Sequence, residues 1–240
     1  MGSGSKDSRP PFAKRTPAAE SLRTEGDCLK LLRRADLPAD ALQEILGDRN
    51  VRKFHAVRRA LAAHPRTPRG DALALVATLF WRDLAALSAD TRVHPAIRRA
   101  ADLDLLRRLP EMAVAERVDL ARAVGRGALL YLRLDPDPRV LASVLENRFL
   151  IEADVIQAAT ATLGDREPCL CLIAEHPRWG LRRAVRSAIL RNPVLPVAVA
   201  LSLLTRASLE DLRGILESPR TAAIVRACAE RVLAERGAAV

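Results

Sequence analysis

Six arginines, Arg178, Arg182, Arg183, Arg186, Arg191 and Arg206, fall within residues 176–209, a stretch that holds no acidic residue. Arg178, Arg182 and Arg186 are spaced i, i+4, i+8. On a helix that spacing makes one basic stripe, with Arg183 beside it, opposite Leu181, Val185, Ala188 and Ile189. As phosphate contacts these cations would bind without regard to sequence and weaken with salt. Trp179 flanks the stripe and could stack on a base or a partner side chain. The competing reading is a solvated face with Trp179 packed against the next helices. Arg58 and Arg59, with Lys53, and Arg98 and Arg99 extend the candidate binding surface to earlier parts of the chain, where Asp102 and Asp104 interrupt it.

Nothing comparable points to catalysis. His55, His64, His94 and His176 show no HExxH spacing or close carboxylate cluster, and three of them directly precede Pro, so they read as turn residues. Cys169 and Cys171 would lie about 200° apart around a helix and cannot grip one metal. With Cys28 and Cys228 they are expected to be reduced, mostly packed thiols. Asp83 and Asp211 fall at one aligned helical position, which Ala128 and Cys169 also fill, so that position reads as architectural. Gly125-Arg126-Gly127 is too short for a phosphate loop, and no GxSxG elbow is present. The sequence therefore offers no catalytic residue, metal or cofactor.

The chain as a whole carries 39 basic and 29 acidic side chains, a net charge of +10. Residues 1–70 contribute 15 of the basic and 8 of the acidic ones. Such an excess favours anionic partners. Hydrophobic residues make up 49% but aromatics only 3%, so the apolar mass is Leu, Ala and Val, a helix-forming palette suited to closely spaced helices. No charge-free run of about 18 apolar residues occurs, and no secretory signal is visible. The expectation is a cytoplasmic protein without membrane insertion.

The elements that must position the arginines show a period. Five times a branched apolar residue followed by Arg, or once by Leu, falls early in a predicted helix: Val51-Arg52, Ile97-Arg98, Val140-Leu141, Leu181-Arg182 and Val225-Arg226. Their second members are 46, 43, 41 and 44 residues apart, a step that marks stacked helical units sharing one core. Residues 1–24, rich in Gly, Ser and Pro, read as a disordered basic tail, and residues 25–240 as one domain. A first helix is predicted over about residues 25–34. From Leu37 each unit opens with a turn and a short helix. A middle helix follows, with apolar pairs Leu84/Leu87, Leu129/Leu132, Leu170/Ile173 and Leu212/Ile215, and then a third helix after Pro95, Pro138, Pro177 or Pro219. The first unit is expected to lack its middle helix, and no segment alternates like a strand.

The stretch Leu46-Gly47-Asp48-Arg49-Asn50-Val51-Arg52-Lys53-Phe54-His55-Ala56 resembles the HEAT-repeat signature, with looser copies at Pro95-Ala96-Ile97-Arg98-Arg99-Ala100 and Leu181-Arg182-Arg183-Ala184. Three short helices per unit also resemble armadillo repeats, and the Asn/His-Pro turns are similar to those of bacterial HEAT-like and leucine-rich-repeat-variant proteins. The resemblance spans about residues 36–236. It implies an all-α, right-handed α-solenoid of about five HEAT- or ARM-like repeats, in which the last helix of each unit lines a concave surface. Families of this build mostly bind proteins and in part nucleic acids. One group, the HEAT-like alkylpurine DNA glycosylases, is similar in size and holds DNA with aromatics and a catalytic Asp, for which no matching motif occurs here.

The reading that follows is a non-enzymatic binding or scaffold protein whose Arg-rich helical surface holds an acidic protein partner. The alternative is a DNA- or RNA-binding HEAT-like solenoid, related to the alkylpurine glycosylases. The recurrent Arg52, Arg98, Arg182 and Arg226 are read chiefly as structural, each pairing with a nearby carboxylate or helix end. Asp48, four residues before Arg52, is the expected partner of that arginine.

Overall fold

The computed structural model describes residues 24–162 and 165–237. These residues form fifteen α-helices and no strand. In chain order the helices are α1 (Glu25–Leu32), α2 (Ala39–Gly47), α3 (His55–Ala63), α4 (Arg69–Val76), α5 (Trp81–Ala89), α6 (Pro95–Arg108), α7 (Val114–Ala123) and α8 (Arg126–Leu132). They continue as α9 (Pro138–Leu145), α10 (Glu152–Thr160), α11 (Glu167–Glu175), α12 (Arg183–Leu190), α13 (Val197–Leu204), α14 (Leu209–Glu217) and α15 (Ala223–Gly237). Short 3-10 turns stand at Val51–Lys53 and Leu109–Glu111. The tail expected over residues 1–24 lies, apart from Thr24, outside the described residues. No helix among the described residues is long and apolar enough to cross a membrane.

Local chemistry sets the helix ends. Thr24 caps α1 by accepting the Asp27 N–H on Oγ1 at 3.2 Å. Pro38, Pro68 and Pro196 stand just before α2, α4 and α13, and Pro95 and Pro138 open α6 and α9. At those positions a missing N–H leaves no intrahelical bond unmade.

The helices divide into five triplets. In each, the first helix packs against the third: α1 on α3, α4 on α6, α7 on α9, α10 on α12 and α13 on α15. Third helices then meet the middle helix of the next triplet, as α3 does α5, α6 does α8, α9 does α11 and α12 does α14. The principal packing joins no helices more than three places apart. All four apolar pairs expected of the middle helices are buried. Leu42 and Ile45 of α2 are buried with the same spacing, so α2 is itself a middle helix and α1 the first helix of a full triplet. The first unit is expected from the sequence to lack a middle helix, and the burial pattern of α2 fits such a helix. Pro38 at the head of α2 gave it the look of an opening helix.

Three residues after each of the first four pairs stands an acceptor that turns the chain into the third helix. Asp48, Asp90 and Asp135 take, on Oδ1, the backbone N–H two residues on, at 2.8, 3.0 and 2.9 Å. His176 does the same through Nδ1 at 3.2 Å. These are Asx-type turns. Asp48 is thereby committed to the turn, and Arg52 reaches the Leu46 carbonyl at 3.3 Å rather than Asp48.

Buried polar side chains tie the end of a third helix to the first helix of its own triplet, and Arg166 reaches back to the triplet before. Asn147 Nδ2 donates to the Ala121 and Val124 carbonyls at 2.7 and 3.1 Å, and Asn192 Nδ2 to those of Ala159 and Ala161 at 2.7 and 3.0 Å. His64 Nε2 donates to the Arg34 carbonyl at 3.0 Å, while its Nδ1 accepts from the Arg66 N–H. Arg166, wholly buried, donates to the Asp135 and Ala158 carbonyls at 2.8 and 3.2 Å. Carbonyls near helix C-termini lack intrahelical partners, and these side chains supply them.

Candidate binding clefts

The third helices share one register. Their third residues, Val57, Ile97, Val140, Val185 and Val225, are all buried, and the residues that follow are Arg58, Arg98, Leu141, Arg186 and Arg226. Each of these four arginines is half-buried. The apolar–Arg pair is thus real, but in two triplets it lies later than Val51-Arg52 and Leu181-Arg182. Leu181 is 66% exposed, and the buried places around it belong to Trp179 and Val185. The slip has a local cause: the turns before α3 and α12 each contain an apolar–Arg dipeptide of their own.

The same turn dissolves the expected stripe. Helix α12 begins at Arg183, so Arg178 lies in the preceding turn and Arg182 caps the helix. Trp179 is only 2% exposed and donates Nε1–H to the Leu145 carbonyl at 2.9 Å. It packs as a core residue, with the Arg178 guanidinium 4.2 Å from its ring. Arg182 faces Glu152 at 3.8 Å. Arg183 is held by Asp211 at 2.8 Å and Glu210 at 2.7 Å, which raise its pKa above the ordinary guanidinium value. Burial pushes Asp211 up, but bonds from Ser208 and Arg183 outweigh it and leave its pKa lowered.

In the earlier part of the chain Asp83 takes both His55 and Arg59, at 3.3 and 3.4 Å. Asp83 and Asp211 hold third-helix cations in the same way. Arg98 lies within electrostatic reach of Asp90 and Asp102, and Arg226 donates to the Ser218 carbonyl at 3.1 Å. Arg99 is exposed without a side-chain partner among the described residues.

Arg58 and Arg186 differ from Arg59, Arg182, Arg183 and Arg226. Neither makes a side-chain hydrogen bond or ion pair among the described residues, and Arg58 Nε is shut off from solvent. Both floor clefts. The one at Arg58, about 550 Å³, lies between α2, the turn after it, α3 and α4, with Arg49, Arg52, Lys53 and the single acid Asp71 on its walls. The one at Arg186, about 330 Å³, lies between the end of α11, α12 and α13, with Arg206, His176 and Glu175. Ten of the eleven residues lining the second stand 128 positions after a residue lining the first, as Arg186 follows Arg58 and Arg206 follows Thr78. Sequence reasoning named Arg58, Arg186 and Lys53 but missed Arg49 and Arg206 as cleft residues. Arg49 follows α2 and Arg206 follows α13, in turns that no spacing in the sequence singles out.

Among the described residues no cluster of His, Cys, Asp and Glu is arranged to hold a metal ion. Burial raises the pKa of the Cys169 and Cys171 thiols, which keeps them protonated and poor nucleophiles. No protein-family model matches the chain, and no curated protein or solved structure matches it.

Proposed function

We propose that residues 25–240 form one right-handed α-solenoid of five HEAT- or armadillo-like units. We propose further that it serves as a non-enzymatic, cytoplasmic binding or scaffold protein for an acidic protein partner. The first-on-third helix packing in all five triplets supports the solenoid. The observation that carries the binding role is the pair of matching clefts, each floored by an arginine without a counter-ion among the described residues. A guanidinium partly withdrawn from water attracts a carboxylate more strongly than one in bulk solvent. Discrete clefts of this kind suit Glu and Asp side chains of a partner segment.

A nucleic-acid interface, as in the HEAT-like alkylpurine glycosylases, is the second reading, favoured by the acid-free residues 176–209. Against it stand the burial of Trp179 and the pairing of Arg183. The deciding experiment measures fluorescence anisotropy of a labelled Glu-rich peptide and of labelled duplex and single-stranded DNA. Peptide affinity that falls at least about tenfold in Arg58→Ala combined with Arg186→Ala supports the first reading. Tighter binding of DNA, with a steep salt dependence and the same sensitivity, overturns it in favour of the second.

A further inference from the structure

Ala184, Ser187, Ala188 and Arg191 follow i, i+3, i+4, i+7 along α12 and share a face from which Arg186 is turned away. With Ile156 and Thr160 of α10, and Ser218, Pro219 and Arg220 of the turn after α14, that face encloses a cleft of about 980 Å³. A cleft of about 500 Å³ occupies the matching place 128 residues earlier. There Asp90 holds the Arg92 guanidinium at 3.0 and 2.8 Å, Asp83 holds Arg59, and Leu32 and Ala63 keep the wall apolar.

The later cleft exchanges these residues. Ser218 stands in place of Asp90, Ser187 in place of Arg59, Thr160 in place of Leu32 and Arg191 in place of Ala63, while Arg220 remains where Arg92 was. The aspartate that neutralised Arg92 is gone, and the second cation has moved from the Arg59 place to Arg191, where no acid holds it among the described residues. Neither Arg191 nor Arg220 makes a side-chain hydrogen bond or ion pair among the described residues. A Cβ on Gly214 of α14 would come within 3.0 Å of Arg191 Nη2, so the glycine leaves room for that guanidinium.

We propose that this cleft binds a small phosphate monoester. Two unopposed guanidinium groups match the oxygens of a phosphate dianion, and the Ser187 and Ser218 hydroxyls add neutral donors. Ile156, Ala188 and Pro219 give the organic part an apolar wall. Among the described residues no aromatic side chain lines the cleft to stack on a nucleobase, and a compact body such as a sugar fits best. The volume falls within the range of small-molecule sites, about 300–1,000 Å³. This site is separate from the clefts of Arg58 and Arg186 and stands whether or not an acidic protein binds there.

The test is isothermal titration calorimetry with glucose 6-phosphate, inorganic phosphate and a phosphoserine peptide. Glucose 6-phosphate should bind saturably, and Arg191→Ala with Arg220→Ala should weaken it at least about tenfold, whereas Arg58→Ala with Arg186→Ala should not. Ser218→Asp, which reinstates the acid of the earlier cleft, should remove binding while circular dichroism and the melting temperature stay as in the parent. No saturation by about 10 mM ligand at low salt overturns the proposal. So does binding indifferent to the Arg191 and Arg220 changes. Equal affinity for inorganic phosphate overturns the monoester assignment, and binding of the phosphoserine peptide alone overturns the small-molecule one.

Discussion

Asn192 places its side-chain amide 2.7 Å from the Ala159 carbonyl, 33 residues back along the chain. Asn147 stands in the same relation to Ala121, at 2.7 Å. In each case Oδ1 also accepts the N–H two residues on, from Val194 or Phe149. One buried amide thus shapes the turn that leaves the third helix and closes the end of the first helix of the same triplet.

Replacing Asn147 or Asn192 by Ala should therefore be costly for a surface-turn position. Two carbonyls lose their donor at once, both buried at Asn147 and one buried and one part-buried at Asn192, and each buried unsatisfied group costs about 1–3 kcal/mol. The expected loss is about 2–4 kcal/mol, read as a lowered denaturant midpoint with the slope unchanged. A loss below about 0.5 kcal/mol would show that water replaces the amide.

Gly125 and Gly127 open α8 against Ser88 of α5 and Asp102 of α6. A Cβ at Gly125 would lie 2.3 Å from the Ser88 carbonyl oxygen, and one at Gly127 1.9 Å from Asp102 Oδ2. The first clash is with backbone and the second with the tip of a side chain. Gly125→Ala should cost about 3 kcal/mol or more, and Gly127→Ala less, because Asp102 can turn aside. Thermal unfolding of the two variants gives the order, and the reverse order would contradict this account.

Asp102 also sets a pH dependence. Burial raises its pKa above the ordinary 3.8, more than the Ser88 hydroxyl, the Ala128 N–H and Arg98 lower it. Between 3.8 and that raised value the folded chain holds a proton that the unfolded chain has released. This group's contribution to stability therefore falls as pH rises through the window. Asp102→Asn keeps an oxygen acceptor and removes the charge. It should be more stable than the parent at neutral pH and show a flatter stability profile from about pH 4 upward, measured by urea melts.

Asp137 has the opposite sign. Arg139 holds its pKa down to about 2, and its Oδ1 accepts the Arg139 N–H at the head of α9 at 2.9 Å. Its stabilising contribution is present above the ordinary 3.8 and lost only as pH falls through about 2. Asp137→Asn should match the parent at pH 2 and below, and differ from it at pH 5.

Trp179→Phe separates packing from recognition. The indole N–H to the Leu145 carbonyl would be lost in a buried setting, at about 1–3 kcal/mol. Affinity for an acidic peptide, measured well below the melting temperature, should stay within about twofold. A much larger loss of affinity would make Trp179 part of the interface.

Much of the architecture was legible in the chain because helix formers and apolar spacing act locally. The pairs Leu84/Leu87 through Leu212/Ile215 gave the middle helices directly, and all are buried. The arginine register was misread in two triplets, since Val51-Arg52 and Leu181-Arg182 repeat in a turn the same dipeptide that marks the helix. Which cations are free was not legible at all. Arg183 with Asp211, and Arg59 with Asp83, are partners 28 and 24 residues apart, brought together only by helix packing. Charge counts treat Arg183 and Arg186 alike, although one is doubly paired and the other has no counter-ion among the described residues.

Because the principal packing reaches no further than three helices along the chain, most contacts form between residues that are never far apart before folding begins. Such chains close short loops and fold quickly, and a disturbance in one stretch need not travel to the others. Alteration can then be confined to one place. The exchange of an aspartate for Ser218 and an alanine for Arg191 rewrites the character of one cleft, while its counterpart at Asp90 and Ala63 keeps its internal ion pair. A chain organised this way can acquire different specificities along its length by a few substitutions each, without renegotiating its core.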